Sequence, residues 1–538
     1  MAAFLAVLIS ALAAQTTDRP RQRLGVPQDW SHRQVIFPRS ALWSRPDLAR
    51  LEPRVVHQWL RQATAGRVSG DASLRQETTT TNSFHRDWSV LTGNPGRIAA
   101  GMSPAKYSFD VNAPPDCVND YVVFGMNAPG TGTQGNLIAF NQLYSGAGGL
   151  CNGAGPSLLF SYNIGPGRIA TSPILSLSGT KIAFVESAAT SSIFHVLTWA
   201  TGPGNGTSPT APAVPGTGNT ASMTSITYAA SNNTRSSPWI DYANDTVYVG
   251  ANNGNVYKIT GVFNGTPTLV SGGGWPVAAS AGRIISGPVL DLVTHNIFVG
   301  DTAGRLRSFN SVTPGAITSL AVGLQGATNP GIIDSPMLDG VNGVVYAVSS
   351  NDGVSAVLVE ASASTLQQIT RARIGLGGSG GAGGVVLYDG AFDNNYFSNP
   401  STGSFLVCGT GPADTSPWLY TFNFTGTTLN TLPTTLVPIV TATNSLCSPI
   451  TEFFNPNVNG GTDFFYFGIT INCSGAGTLG CIMARQNPGA PPVPVNQSGG
   501  TSAIVVDNYS TAGQASSIYF TDLSSPGRAV KLTQNGLN

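Results

Sequence analysis

Four carboxylates in this sequence recur at one spacing. Asp241, Asp291, Asp339 and Glu452 each stand three residues after a proline, namely Pro238, Pro288, Pro336 and Pro449. Asp110, Asp389 and Asp507 end comparable apolar runs, and Ser176 takes the slot after Pro173. If the fold gathers these groups into a ring, they could hold a cation or a basic segment. The plainer use is local. An Asp at a strand end caps the following turn by accepting backbone N–H groups, and this is the favoured reading.

Other residues offer less. "YDGAFDNNYFSN" (388–399) brings Asp389, Asp393, Asn394 and Asn395 together. Calcium takes such oxygens, but the regular spacing of a calcium loop is missing, so turn formation is the simpler use. "GLGGSGGAGG" (375–384) lacks the Lys-Ser/Thr ending of a phosphate loop. The histidines are His32, His57, His85, His195 and His295, and no H-x-x-x-H occurs. Net charge is zero and charged residues are only 10%, so nothing favours nucleic acid as a partner.

The slots repeat because the elements around them repeat. "SSPWIDYANDTVYVGANNGNVYKI" (236–259) returns as "SGPVLDLVTHNIFVGDTAGRLRSF" (286–309) and as "DSPMLDGVNGVVYAVSSNDG" (334–353). Each copy gives a short apolar strand, a turn, a β-branched and aromatic strand, a Gly-containing turn and a third strand. Pro104, Pro173, Pro238, Pro288, Pro336 and Pro449 anchor six units, and "GGVVLYDGAF" (383–392) and "TSAIVVD" (501–507) fill two more slots. Eight units with a period near 50 predict an eight-bladed β-propeller of four-stranded blades. A β-sandwich would not explain eight copies of one local pattern. The 65 glycines and 36 prolines suit the many tight turns such a fold needs.

"GRI" precedes the first strand at Gly96, Gly167 and Gly282. The segment before the first of these, Trp88–Gly93, therefore reads as a fourth strand with no blade of its own, while the last unit ends after its third strand. Residues 87–93 are expected to complete the last blade and close the ring, which removes free sheet edges.

At these residues the chain resembles the PQQ-like β-propeller repeat proteins, well over 236–350 and more weakly across 100–533. In wider layout, with "GVPQDWSHRQVIF" (25–37) ahead of the repeats, it is similar to secreted propeller proteins of soil bacteria. The resemblance implies the fold. It also implies a choice between quinone-dependent dehydrogenases and non-catalytic scaffolds of the outer membrane. The vicinal cysteine pair and tryptophan-docking segments of the quinoproteins are missing, which argues against a bound quinone. No cofactor is expected; calcium at Asp389, Asp393 and Asn394 is the one ion the residues suggest.

The remaining features concern export and the N-terminal region. "AAFLAVLISALAAQ" ends in a small-x-small site, Ala11-Leu12-Ala13, and reads as a signal peptide over 1–14. It is short for a bilayer span, and no later run is apolar enough to be one. Cys117, Cys151, Cys408, Cys447, Cys473 and Cys481 form no C-x-x-C. The pairing expected is 117–151, 408–447 and 473–481, with buried thiols as the alternative. Residues 15–86 form a basic arm, with one helix at about 45–62 and a linker, ahead of a propeller over 87–538. Residues 15–87 carry 12 Arg and 7 acids, and the rest of the chain is acidic by the same margin. The helix is expected to dock on the propeller through Val55, Val56, Trp59 and Leu60. Arg54 and Arg61 would face acids such as Asp241 or Asp291 and add little. The whole reads as a secreted or envelope-associated monomer that binds an envelope or extracellular protein or glycan. The competing class is a propeller enzyme, either a quinoprotein or a polysaccharide-active lyase or hydrolase.

Overall fold

The computed structural model describes residues 23–37, 52–58 and 84–534, apart from short stretches at 147, 325–329, 381–384, 444, 456–460, 474–478, 488–492, 508–513 and 516. The signal-peptide segment and most of the expected 45–62 helix, including Trp59, Leu60 and Arg61, lie outside the described residues.

Eight antiparallel blades form a ring. Their first strands are Ala105–Ser108, Ile174–Leu175, Trp239–Asp241, Val289–Leu290, Met337–Asp339, Ala391–Phe392, Thr451–Asn455 and Val505–Asp507. Each of the six anchor prolines stands one or two residues before its strand. First strands of neighbouring blades touch around a central channel, and the last of them meets the first. The second strands supply much of the apolar filling. Thr246–Gly250, Asn296–Gly300 and Val344–Ser349 are almost wholly buried, because both faces of a blade are covered by its neighbours. The core is accordingly a series of aromatic and β-branched layers between sheets, such as Val122, Phe124 and Phe140 packed with Trp88 and Tyr519.

The ring closes as expected. Phe84–Gly93 pairs antiparallel with Gly527–Gln534 along its length and becomes the outer strand of blade 8. The strand begins at Phe84, so the propeller takes in residues 84–86, which the sequence pattern assigns to the end of the arm. Trp88 anchors it, buried and donating from Nε1 to the Leu143 carbonyl at 3.0 Å.

Blade 6 corrects the register of one slot. Its first strand is Ala391–Phe392, so Gly390 takes the proline position and Asp393, not Asp389, takes the acid position. Its outer edge is also divided, with Thr428–Leu429 and Thr435–Pro438 both pairing with Pro417–Thr425. The three disulfides join Cys117 to Cys151, Cys408 to Cys447 and Cys473 to Cys481, with Cα separations of 5.6, 6.4 and 5.9 Å. Among the described residues no helix is long and apolar enough to cross a membrane.

Candidate functional site: a plugged channel

Two blades carry a fifth strand on the channel side, and both extra strands come from the N-terminal arm. Val26–Gln28 pairs antiparallel with the first strand of blade 1, Val26 opposite Ser108 and Gln28 opposite Lys106. Val35–Ile36 pairs parallel with the first strand of blade 5, Val35 opposite Leu338 and Ile36 opposite Asp339. Blades 1 and 5 are four positions apart in a ring of eight, so residues 26–36 cross the channel. The pairing directions show the path. The chain enters beside Val111, whose N–H donates to the Leu24 carbonyl, and leaves beside Gly340, whose N–H donates to the Ile36 carbonyl. Both residues lie in turns that follow a first strand, so entry and exit share one mouth.

Inside, the chain reverses through a single 3-10 turn, Trp30–Arg33. Asp29 caps it, accepting from the Ser31 N–H at 2.9 Å and the Ser31 hydroxyl at 2.5 Å, while His32 Nδ1 accepts from the Asp29 N–H at 3.1 Å. This reciprocal cap satisfies donors that a free helix end leaves exposed. Trp30 anchors the turn. Its indole N–H donates to the Pro238 carbonyl at 3.1 Å and its ring meets Trp239 edge-on at 5.8 Å.

A second arm segment holds the first in place. Residues 53–58 are helical, and Val55 packs in the same cluster as Trp30, Val35, Phe37 and Trp239. Gln58 bonds both backbone groups of Phe37, at 2.9 and 3.2 Å. Arg54 does not face Asp241 or Asp291 from an exposed surface, as the charge pattern suggested. It is 2% exposed. Its guanidinium forms two bonds to Glu52, at 2.5 and 2.6 Å, donates to the Ile240 carbonyl at 2.7 Å and lies 4.0 Å over the Trp239 ring. Burial alone would weaken the guanidinium's hold on its proton, but the Glu52 carboxylate more than offsets this and its pKa is raised.

The plug does not fill the channel completely. A cavity of about 70 Å³ remains between it and blades 6 to 8, lined by Asp29, His32 and Arg33 on one side and Phe392, Thr451 and Val505 on the other. At ~15 Å³ each, about five waters fit. Asp29 Oδ2, His32 Nε2, Arg33 Nε and Gln28 Oε1 are buried and have no hydrogen-bond partner among the described residues. The cavity thus offers donors and acceptors together. Burial would raise the Asp29 carboxyl, but hydrogen bonding and charge from His32, with the Ser31 hydroxyl, hold it below its usual value.

The sequence-derived acids are mostly turn caps. Asp241 accepts from the Asn244 side chain at 2.7 Å, Asp291 from the Val293 N–H at 2.9 Å and Asp339 from the Val341 N–H at 2.8 Å. Asp110 accepts from the N–H groups of Asn112 and Leu24. Asp339 also takes the Tyr396 hydroxyl at 2.6 Å. These three strand-end carboxylates are 0–5% exposed, so they form no open acidic ring. Glu452 lies within its strand and lines the cavity. Asp507 pairs with Lys106.

The residues suggested for calcium part company. Asp393 caps residues 394–398 through the Tyr396 N–H, and burial raises its pKa to about 6. Asn394 donates its N–H to Asp463. Asp389 sits instead beside Asp334, and burial followed by the Asp334 charge drives its pKa well up. Among the described residues no group of three or more His, Cys, Asp or Glu side chains is placed to hold a metal.

The fold and its plug define a class: an eight-bladed β-propeller whose channel is occupied by its own N-terminal chain. No family model matches the sequence, and no curated protein matches it. Solved structures it is similar to include BamB from Moraxella catarrhalis, at 14% identity, covering 84% of this chain and 100% of that one, with a TM-score of 0.45. Sqt1 from Saccharomyces cerevisiae is 10% identical over 85% of this chain and 99% of that one, with a TM-score of 0.48. The Dos1 propeller is 8% identical over 84% and 95%, also with a TM-score of 0.48.

Proposed function

We propose that this protein is an exported propeller of the PQQ-like repeat kind that acts by binding, as a scaffold or recognition module for an envelope or extracellular protein or glycan. One observation carries the reading. The largest concavity of a propeller is its central channel, and here residues 26–36 and 52–58 occupy it with strand pairing, a capped turn and a buried ion pair. A partner is then met on a rim. Three disulfides suit an oxidising compartment. The rim at which the plug enters and leaves carries exposed Val118, Val293 and Val341 in turns of blades 1, 4 and 5. Val354 is exposed on the opposite rim. Photo-crosslinking residues placed at these four positions, in protein expressed in its own envelope, should give one discrete adduct from one rim only. No adduct from any of the four would overturn the reading.

A second reading, a hydrolase, has one specific observation in its favour. On three successive strands of blade 2, exposed Ser225 lies 2.8 Å from His195 Nδ1, and His195 Nε2 lies 3.0 Å from Glu186 Oε2. That is the order nucleophile, base and orienting carboxylate. The His195 hydrogen bond holds the Glu186 carboxyl below its usual pKa, which keeps it ionised. Covalent labelling of Ser225 by a fluorophosphonate, lost in Ser225→Ala, would support this reading, and an unlabelled wild type would dismiss it.

A further inference from the structure

The seam between the last blade and the first is unlike the apolar packing elsewhere. The whole chain has four lysines, Lys106, Lys181, Lys258 and Lys531, and two of them are buried at this seam. Lys106, on the first strand of blade 1, places Nζ 2.7 Å from Oδ2 of Asp507, on the first strand of blade 8. Their side chains are 1% and 3% exposed. The Tyr144 hydroxyl lies 3.1 Å from Lys106 Nζ, 3.1 Å from Asp507 Oδ2 and 2.9 Å from Oδ2 of a third carboxyl, Asp120. Lys106 Nζ also contacts the Ser108 hydroxyl. Tyr144 and Tyr519 wall the site, 1% and 0% exposed.

An amine and a carboxyl held in contact, dry, beside a second carboxyl are the parts of an intramolecular amide. We propose that Lys106 and Asp507 condense to an isopeptide bond that ties blade 1 to blade 8 and closes the ring covalently. The neutral Nζ attacks Cγ of the protonated Asp507 carboxyl. The Nζ–Cγ bond forms, the Cγ–hydroxyl bond breaks, and the hydroxyl leaves with a proton from nitrogen as one water. Nothing is oxidised or reduced. The Tyr144 hydroxyl, which touches both reacting groups, passes the proton. Asp120 acts through Tyr144 as a positioning residue and proton store.

Three physical points favour the step. The amine and the carboxyl stand 2.7 Å apart, so one proton passed from Nζ to Oδ2 within the pair gives the two neutral groups that react. Burial raises the pKa of Asp120 in particular, despite the opposing charge of Lys106. Condensation also removes two buried charges whose desolvation is costly as an ion pair. Finally, contact geometry replaces a bimolecular encounter, and such positioning can supply effective concentrations of ~10⁵ M or more.

Peptide mapping of the purified, reduced full-length protein tests the bond. A branched peptide containing Lys106 and Asp507, lighter than its two components by the mass of one water, is expected. Asp120→Asn, which keeps size and hydrogen bonding, should fold and yield the two peptides unjoined. Lys106→Arg should do the same and should also remove a covalent constraint visible as slower migration on denaturing gels. Separate peptides in the wild type would show an ion pair only and overturn the proposal. So would a missing water that maps to the neighbouring pair, Lys531 and Asp87, which are 2.7 Å apart. A bond that persists in Asp120→Asn would overturn the role given to Asp120.

Discussion

Replacing Arg54 by alanine should release the plug. The guanidinium binds the second arm segment, the first segment and the wall together, through Glu52, Ser31 and Ile240. Removing it leaves the Glu52 carboxylate, itself 3% exposed, without its cation. Stripping one partner from a buried pair costs about 3–5 kcal/mol. The lost contact with Trp239 falls within that figure and is not added to it. At about 1.4 kcal/mol per tenfold, the detached state should become roughly 10² to 4 × 10³ times more populated. Hydrogen exchange is the assay, because local opening is measured segment by segment. Amides of Val26, Gln28, Val35 and Ile36 should lose protection by that factor, while the second strands of blades 3 and 4 should keep theirs. A double variant, Glu52→Leu with Arg54→Met, separates the causes. It removes both charges and keeps volume, so it should return most of the protection. If Arg54→Ala leaves exchange at Val35 and Ile36 unchanged, the buried pair does not hold the plug and the reasoning fails.

Further outcomes follow from other parts of the molecule. Deleting residues 84–93 strips the partner from Gly527–Gln534 and should cause aggregation or a lower melting temperature, measured by scattering during a thermal ramp. Asp393→Asn should matter only above the acid range. The raised pKa of about 6 means the folded state holds this proton more tightly than the unfolded chain does, so the stabilisation is full below pH ~4 and lost as pH rises through 6. The amide should therefore stabilise the fold near pH 8 by at most about 3 kcal/mol, read as a higher melting temperature, and the gain should vanish near pH 4. Asp241→Ala removes a turn cap and should cost about 1 kcal/mol in denaturant melts without altering any partner adduct. A peptide spanning residues 23–58, added to a chain that starts at 84, should bind it saturably, and Trp30→Ala in that peptide should weaken the binding at least tenfold in a fluorescence titration.

Blades were legible in the sequence because a blade is a local object. Its strands are joined by short turns, so Pro238, Asp241 and "TVYVG" fall in fixed order and the order repeats. The closing strand was legible by subtraction, since Trp88–Gly93 had no blade and the last unit had no fourth strand. The slot at 383–392 was misplaced by four residues because proline is absent and two aspartates compete there. The plug was illegible for a different reason. Its strands are three and two residues long, too short for any period to show, and their partners lie more than 70 residues away. Arg54 misled because its charge suggests a surface, while its partner Glu52 stands two residues away rather than at helical spacing. The signal that could have found the Lys106 pair was scarcity. With four lysines in the chain, one between Ala105 and Tyr107 on an inner strand is out of place unless it is paired.

The path of the plug bears on how such a ring can be completed. Residues 84–93 must reach the far end of the chain to close blade 8, and residues 26–36 must reach blades 1, 3, 5 and 7, the last through Arg33 and the Ile450 carbonyl. Had the arm entered by one mouth and left by the other, closing the ring would have demanded threading, which folds avoid. Entry and exit at one mouth remove that demand, because a bent segment can seat in a ring already closed. The plug therefore need not form early, and its own contacts, not the topology, decide whether it stays. That places the weight on Trp30, Arg54 and the Asp29 cap. It also makes the plug the part of the molecule whose occupancy a single side chain can change without unmaking a blade.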